Sequence, residues 1–439
     1  TEIYTLSLHD ALPIFIPGSG GTFYCQNCMR DNELVLQLRA MGHDVIMVPM
    51  YLPLNEETLR TRGDTPVFYG AINIYLKQMF PRYRNAPMWL EKLLDSRPLL
   101  KVAAHLSGST SAKGLEEMTL SMLQGEDGKQ ASELEHLVHW LEQDGKPDVI
   151  HLSNALLLGL ARKLKQRLQS HIVCTLQDEH QWIDPMDAAY RQPLWDLMAE
   201  KSVDISGFIT VSRYYSEFMQ QKLGLSAQRI TVVPMGIELQ GYQTAPLSMQ
   251  PPVIGYLNRL TDMFGLDTLV DAFILLKKQW PDLQLHMTGG HTADDKPFVR
   301  RIEKKIEKAR VQSDVKIFPA FNRSERISFL AGLSVLSVPV PYGEAFGTYL
   351  IEALASAVPV VQPNAASFPE VIQSTGGGLL CEPGNPASLA EKIHQLLSDP
   401  PRARALGRQG QHMVQSHYTI QKMAERMISA YEQIMRDHS

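Results

Sequence analysis

The sequence predicts an α/β protein with two domains, each built around a parallel sheet. From Gly18 onward, short apolar runs typical of strands alternate with segments of helical period. The segment 242–252 is rich in Pro, Gln, Ser and Thr and has no periodicity, which indicates a linker. The alternation then restarts at Val253. A chain of 439 residues is long enough for two or three such domains.

The composition excludes several functional classes. Hydrophobic residues make up 44% and charged residues 20%, which are ordinary values for a globular protein. A net charge of −5 argues against a nucleic-acid-binding protein. No apolar run approaches the roughly 18–20 residues that a bilayer span needs. The four cysteines are too few for a disulfide framework, and they suit a reducing compartment. We therefore expect a cytoplasmic enzyme.

Residues 1–14 are predicted to be non-native. The segment TEIYTLSLHDALPI has no start methionine and no signal-peptide layout, and it closely resembles translated read-through of a sequencing adapter. The alternative is a genuine first strand.

In the first half, a glycine-rich turn at 18–21 leads into a helix that contains Leu34 and Leu38. Ser212 follows a strand at the position of a helix N-cap. The other predicted strands of this half are 45–48, 148–150, 172–176, 208–211 and 230–233. Its other predicted helices are 133–141 and 156–168.

In the second half, Asn385 and Pro386 form a good N-cap and N1 pair for a helix that ends at 398. The predicted strands of this half are 253–257, 283–288, 315–318, 335–340 and 358–362. Its other predicted helices are 265–280, 299–309, 324–331 and 348–357. Ligands of such sheets bind at the carboxyl ends of the strands, so two facing domains would place a site in the cleft between them.

The most specific segment is 341–361, which carries two carboxylates eight positions apart. Glu344 falls in the loop after a strand, and Glu352 falls in the second turn of the next helix. Phe346, Gly347 and Thr348 fall at the start of that helix, where backbone N–H groups and the helix dipole attract anions. This pattern suits a ligand with a sugar, a diphosphate and a nucleoside. The alternative is a salt-bridged pair at the surface.

Two further segments fit an anionic ligand. In the turn that contains Gly20 and Gly21, the missing Cβ atoms allow the backbone to approach a diphosphate or a sugar. Arg259 follows the first strand of the second domain and can bind a diphosphate with two parallel hydrogen bonds. Its alternative is a surface arginine paired with Asp262.

From Gly18 to about Met435 the sequence resembles the retaining glycosyltransferases with the GT-B fold, especially the family-4 group. Residues 67–100 are also similar to the acceptor-side domain of glycogen and starch synthases. The resemblance implies two Rossmann-like domains that face each other across a cleft. Residues 1–241 would be the acceptor-side domain and 253–415 the nucleotide-sugar-binding domain. Residues 416–439 would form a C-terminal helix that crosses back to the N-terminal domain.

The resemblance implies retaining transfer of a hexose-type sugar from a nucleotide-diphosphate sugar to a glycan, a lipid or a small molecule. Glu344 would contact the donor sugar beside the reacting carbon, and Arg259 would stabilise the diphosphate as it departs. Glu352 would hold the ribose hydroxyls. The other expected donor-binding residues are Gly20, Gly21, Gln177, Phe346, Gly347 and Thr348. No metal and no other cofactor is expected, and nucleic acid is not an expected partner.

The sequence departs from the family at two positions. Close relatives usually carry a lysine immediately before the glycine of the Arg259 segment, where this chain has Phe264. Many relatives also have a histidine at the position of Gln177, which can bind a sugar hydroxyl but cannot carry charge. His180 could substitute for that histidine or could be a solvated loop residue. A catalytically weak sugar-nucleotide-binding protein, and an epimerase or phosphorylase of the same fold, therefore stay open.

Three weaker signals favour no further site. The pair Cys25 and Cys28 has zinc-like spacing without a second pair of ligands. Two adjacent aspartates, Asp294 and Asp295, fall in a polar loop, and we expect no metal there. The basic residues of 156–171 predict a core-packed helix with a solvated face, and a peripheral contact with the inner face of a membrane stays open.

Overall fold

The computed structural model describes residues 13–16, 26–48, 114–144, 147–247, 249–319 and 322–438. Two compact units divide the chain. Of these residues, the first unit holds 13–16, 27–233 and 423–438. The second unit holds Gln26 and 234–422, which includes the predicted linker 242–252. The Gly20–Gly21 turn, Cys25 and residues 67–100 lie outside the described part of the chain, and so does most of 1–14.

In its described part, the first unit contains one sheet of six parallel strands in the order β2-β1-β3-β4-β5-β6. The strands are β1 (Pro13–Ile16), β2 (Ile46–Met47), β3 (Val149–Leu152), β4 (His171–Leu176), β5 (Gly207–Thr210) and β6 (Ile230–Val232). Every residue of β3 and β5 is buried, as expected for central strands of a sheet that helices cover on both faces. Pro13 and Ile14, predicted to be non-native, take part in β1.

The helices of the first unit follow or connect these strands. Ser212 caps one of them, because its Oγ accepts a hydrogen bond from the backbone N–H of Tyr215 (3.1 Å), which confirms the predicted N-cap. The α-helices are Gln26–Ala40, Glu116–Gln124, Ala131–Asp144, Ala161–Leu168, Glu179–Ile183, Ala188–Lys201 and Arg213–Leu223. The predicted helix 156–168 begins with a 3₁₀ segment, Ala155–Leu160.

The second unit contains a sheet of six parallel strands in the order β12-β11-β10-β7-β8-β9. The strands are β7 (Val253–Leu257), β8 (Gln284–Thr288), β9 (Val315–Ile317), β10 (Val335–Leu336), β11 (Val360–Pro363) and β12 (Gly378–Cys381). Each described unit therefore has the doubly wound parallel sheet that the alternating pattern predicts.

The prediction of a strand over 335–340 is wrong beyond Leu336. Pro339 and Pro341 have no N–H group to donate to a neighbouring strand. The chain leaves the sheet there, and the backbone N–H of Val340 turns back onto the carbonyl of Val338 (2.8 Å). This early exit produces the loop that carries Glu344.

The helices of the second unit include the predicted one at Asn385, whose side chain accepts hydrogen bonds from the N–H groups of Ala387 and Ser388. The α-helices are Leu266–Leu276, Lys296–Lys308, Arg323–Ala331, Thr348–Ala355, Phe368–Thr375, Pro386–Ser398 and Pro400–His417. No helix in the described part of the chain has the length and apolarity that a bilayer crossing requires.

The last helix, Ile420–Asp437, contributes residues 423–437 to the first unit. Its Tyr431 is buried, and the phenol oxygen lies 2.6 Å from Nδ1 of His151 on β3. The other ring nitrogen of His151 lies 2.7 Å from Oγ1 of Thr175 on β4. This chain of polar contacts attaches the end of the protein to the middle of the first sheet.

Candidate functional site

The loop that carries Glu344 is held by close backbone packing. Gly343 has φ of +73°, and a Cβ at this position would overlap the Cβ of Ala366. The hydroxyl of Ser367 donates to the backbone carbonyl of Glu344 (2.8 Å) and, more weakly, to that of Phe346 (3.3 Å). Glu344 itself is 2% exposed. The carboxylate therefore has a fixed position at the carboxyl side of β10.

The helix Thr348–Ala355 contains one predicted carboxylate, Glu352, and contacts the other, Glu344. The phenol of Tyr349 donates a hydrogen bond to Oε2 of Glu344. Glu352 lies three residues after Tyr349 in the helix Thr348–Ala355, and residues with this spacing lie on the same face of a helix. The predicted positions, in the loop and in the second helical turn, are confirmed.

Glu352 forms a buried ion pair. Its Oε1 accepts a hydrogen bond from Nε of Arg326 (2.7 Å), and both side chains are less than a tenth exposed. The hydroxyl of Tyr242 donates to the same oxygen (2.9 Å). Burial raises the pKa of Tyr242 far above its usual value, and the neighbouring carboxylate of Glu352 adds to this effect. The phenol is therefore a permanent donor at physiological pH.

Arg259 forms a two-bond ion pair with Asp295, so the alternative pairing with Asp262 is wrong. Its Nε lies 2.9 Å from Oδ2 and its Nη2 lies 3.0 Å from Oδ1 of Asp295. Asp295 also accepts hydrogen bonds from the backbone N–H and hydroxyl of Thr292 (both 2.8 Å). Burial raises the pKa of Asp295, but the hydrogen bonds from Thr292 and the charge of Arg259 outweigh it and leave the pKa below its usual value.

The Arg259 loop packs directly against the loop of Glu344. A Cβ on Gly265 would overlap the carbonyl oxygen of Pro339, so the two backbones touch at this point. Tyr256 lies beneath both loops, and its phenol donates to the carbonyl of Arg259 (3.0 Å). Burial raises the pKa of Tyr256, and the nearby charge of Glu344 raises it further. Within the second unit, the loops that carry Arg259 and Glu344 are therefore in contact, and Phe264 lies one residue before the point where they touch.

The three residues at the start of the helix Thr348–Ala355 lie next to this group. Gly347 is the N-cap residue, with φ of +84°, and it has no side chain that could cover the helix end. Phe346 is buried, with its ring centroid 6.1 Å from that of Tyr418. The positive end of the helix dipole therefore lies beside the Glu344 loop.

Gln177 belongs to the first unit, where its side chain has two protein partners. It directly follows β4 and is 4% exposed. Its Oε1 accepts a hydrogen bond from Nη1 of Arg30, and its Nε2 donates to the carbonyl of Ser153 (2.9 Å). Arg30 also forms an ion pair with Asp31, and both are buried. The predicted contact of Gln177 with a sugar hydroxyl stays a prediction.

Glu179 and His180 lie just beyond Gln177. Glu179 accepts hydrogen bonds from the backbone N–H groups of Ala155 (3.0 Å) and Gln177 (2.8 Å) and from the phenol of Tyr215 (2.7 Å). His180 lies 3.3 Å from the same phenol, and burial lowers its pKa to about 4. Of the two alternatives for His180, the solvated loop residue is wrong, because the side chain is partly buried and belongs to the helix Glu179–Ile183. Its substitution for the family's histidine stays a prediction.

Acidic partners surround the basic helix that was considered for membrane contact. Arg162 pairs with Asp204 (3.3 Å), Lys163 with Glu135, and Arg167 with Glu142 (2.8 Å). Within the described ranges, no three His, Cys, Asp or Glu side chains group as a metal site would require.

The sequence interpretation did not identify the side chains that contact the predicted site residues Arg259, Glu344 and Glu352. Asp295 was considered only as a metal ligand, although the pattern Thr-x-x-Asp at 292–295 is a signal for a capping box. Tyr349, Arg326 and Tyr242 carry no such signal. Tyr349 is local to the segment of both glutamates, whereas Arg326 and Tyr242 reach Glu352 only because the fold brings distant segments together.

Two family models match the chain. The model described as glycosyl transferases group 1 matches residues 243–413, and the model described as Glycosyltransferase Family 4 matches residues 124–240. Together they cover more than half of the chain.

Curated relatives are remote. Spore coat protein SA of Bacillus subtilis is 23% identical over 52% of this chain and 65% of its own length. D-inositol 3-phosphate glycosyltransferase of Segniliparus rotundus is 24% identical over half of each chain. The matches therefore span less than two thirds of these relatives.

Solved structures are similar over nearly the whole chain. Sucrose-phosphate synthase from Thermosynechococcus elongatus has a TM-score of 0.69 at 18% identity, and the match covers 97% of this chain and all of that one. Alr3699/HepE of Anabaena, in complex with UDP and glucose, has a TM-score of 0.68 at 15% identity, with 96% and 99% covered. At such low identity the similarity establishes the fold.

Proposed function

Because this chain belongs to the GT-B glycosyltransferases of the family-4 type, we propose that it transfers a sugar from a nucleotide-diphosphate sugar to an acceptor with retention of the anomeric configuration. A hexose donor is favoured, since the similar Anabaena structure contains UDP and glucose. The acceptor would be a glycan, a lipid or a small molecule.

The observation that carries this proposal is the packing of two loops against each other within the second unit. A buried carboxylate, Glu344, lies on a loop that touches the loop of Arg259 through Gly265, and the Glu344 loop leads into the positive end of a helix. A nucleotide sugar has hydroxyl groups, a diphosphate and a ribose. A carboxylate suits the hydroxyls, and a guanidinium and a helix N-terminus suit the diphosphate.

In the proposed reaction, the bond between the anomeric carbon and the diphosphate oxygen breaks while the acceptor oxygen approaches the same face of the sugar. Positive charge develops on the sugar ring and negative charge on the diphosphate. Arg259 and the backbone N–H groups at 346–348 would stabilise the leaving group, and Glu344 would orient the sugar and stabilise its positive charge. The departing diphosphate would accept the acceptor's proton.

A donor screen tests this proposal. The protein is mixed with UDP-, GDP- and ADP-hexoses, and thermal stabilisation identifies the donor that it binds. The selected donor is then incubated with candidate acceptors, and NMR of the product reports the anomeric configuration. Retention in the product supports the proposal. Inversion contradicts the proposed stereochemistry, and the absence of binding to every nucleotide sugar contradicts the function.

A catalytically weak sugar-nucleotide-binding protein is a second candidate, and the charges around Arg259 favour it. Phe264 supplies no second cation, and Asp295 already neutralises Arg259. Both features reduce the stabilisation of a departing diphosphate. Calorimetry that shows donor binding, together with no turnover over many hours, would select this candidate.

A further inference from the structure

Arg326 forms the buried ion pair with Glu352, and a capped helix carries it. It lies in the first turns of the helix Arg323–Ala331, where Asn322 and Glu325 form a reciprocal capping box. Its guanidinium is buried and lies 2.7 Å from Oε1 of Glu352 through Nε. A capped helix end thus delivers a positive charge to a carboxylate on another helix.

The segment before β7 contributes a second contact. Tyr242 donates its phenol hydrogen to the same Oε1 atom, 2.9 Å away. Arg323 fixes this segment, because its Nη2 donates to the carbonyl of Glu238 (2.7 Å) and its guanidinium lies 5.6 Å from the ring centroid of Tyr242. Arg326 and Tyr242 therefore approach Glu352 from two different segments of the chain.

We infer that Arg326 is a positioning residue that fixes the orientation of the Glu352 carboxylate toward a nucleotide ribose. This inference rests on the proposed function, in which Glu352 binds the ribose diol. A carboxylate that is buried without its counter-charge is costly, so without Arg326 the side chain of Glu352 would turn away from its present position. This rotation would remove the acceptor of the two ribose hydroxyl hydrogens.

The consequence is specific to the ribose. Loss of Arg326 weakens the binding of a nucleoside diphosphate that has both ribose hydroxyls, and it has little effect on an analogue that lacks them. A merely structural role of Arg326 would instead lower the affinity for both ligands by the same factor. The ratio of the two dissociation constants therefore separates the two roles.

The experiment uses the full chain and calorimetry. Whichever of UDP, GDP or ADP binds is compared with its 2′,3′-dideoxy form, for the wild type and for Arg326→Met, Arg326→Lys and Tyr242→Phe. Arg300→Met, at an exposed arginine of the same unit, is the matched control. Thermal unfolding checks that each variant is folded.

We expect the wild type and Arg300→Met to prefer the ribonucleotide by about tenfold or more, which corresponds to about 1.4 kcal/mol. We expect the preference to disappear in Arg326→Met, to persist in part in Arg326→Lys, and to decrease less in Tyr242→Phe. An unchanged preference in folded Arg326→Met overturns the inference and leaves the proposed function intact.

Two other outcomes are also decisive. If Arg326→Met does not fold, an unchanged preference in Arg326→Lys overturns the inference, because lysine cannot reproduce the Nε contact of arginine. If the wild type binds none of the three nucleotides, or does not distinguish the two ribose forms, the assignment of Glu352 fails, and the inference fails with it.

Discussion

The buried carboxylates of the two units have different kinds of partners. In the first unit, Glu179 accepts hydrogen bonds from two backbone N–H groups and from a phenol. In the second unit, Glu344 and Glu352 accept hydrogen bonds from tyrosine and arginine side chains. A backbone N–H cannot leave its position without a change in the fold, whereas a side chain can rotate away.

This difference teaches which polar residues to associate with stability and which with ligand binding. Glu179 satisfies donors that would otherwise be buried without an acceptor, which is a structural task. Glu344 can exchange the phenol of Tyr349, and Glu352 the phenol of Tyr242, for a ligand hydroxyl, because a phenol can rotate away. Burial alone does not distinguish the two groups, because all three carboxylates are 2% exposed.

The largest effect is expected for Glu344→Gln. The substitution keeps the size of the side chain and removes its charge, so transfer should fall on the order of 10³-fold, as it does when a transition-state contact is lost. The melting temperature should change little. Initial rates and thermal unfolding check both statements, with the exposed Glu391→Gln as control. Full activity would remove Glu344 from the proposed site.

Glu179→Ala should lower stability and leave nucleotide binding unchanged, whereas Glu344→Gln should lower activity and leave stability unchanged. Loss of the Glu179 carboxylate leaves two buried N–H groups and a phenol without their acceptor, so the free energy of unfolding should fall by roughly 3 kcal/mol or more. Denaturant unfolding measures this loss, and the exposed Glu217→Ala is the control. The folded fraction should bind nucleotide as the wild type does. A loss of affinity without a loss of stability would reverse the comparison.

Acid should destabilise the first unit through its buried histidines. The pKa of His180 is about 4 because of burial, against an ordinary value of about 6.5, and the pKa of His151 is also lowered by burial and by Arg30. Between about pH 4 and pH 6.5, His180 binds a proton in the unfolded chain but not in the folded chain. Stability should therefore be independent of these groups above pH 6.5 and fall as the pH drops from about 6.5 to about 4.

Urea denaturation at a series of pH values measures this slope. His180→Gln should flatten it, because one histidine can contribute up to about 3 kcal/mol over this window. The matched control is His136→Gln, at an exposed histidine of the same unit, and it should leave the slope unchanged. An equal slope in wild type and His180→Gln would contradict the assignment to His180.

The smallest effect is expected for Phe264→Lys. A new cation beside Arg259 should strengthen nucleoside diphosphate binding by about 1 kcal/mol, or roughly fivefold, at partly exposed positions. Met263→Lys adds the same charge one residue earlier, at a side chain that is 41% exposed, and serves as the control. Calorimetry at low and high salt measures the difference. A larger gain for Met263→Lys would place the diphosphate elsewhere.

Local patterns in the sequence predicted the repeating elements, the caps at Ser212 and Asn385, and the placement of Glu344 and Glu352 on one loop and helix. They failed where distant residues decide the outcome. Arg259 pairs with Asp295, 36 residues away, although Asp262 is nearer in sequence. The helix Ala188–Lys201 was not predicted, and it contains Pro193, which a local pattern indicates as a breaker.

The contact between Gly265 and Pro339 has a consequence for engineering. Since no side chain separates the two loops there, position 265 tolerates no substitution without a shift of the neighbouring backbone. Position 264, one residue earlier, is partly open to solvent and can be varied while its neighbour stays fixed. A library randomised at 264 alone would therefore sample new donor chemistries on an unaltered scaffold.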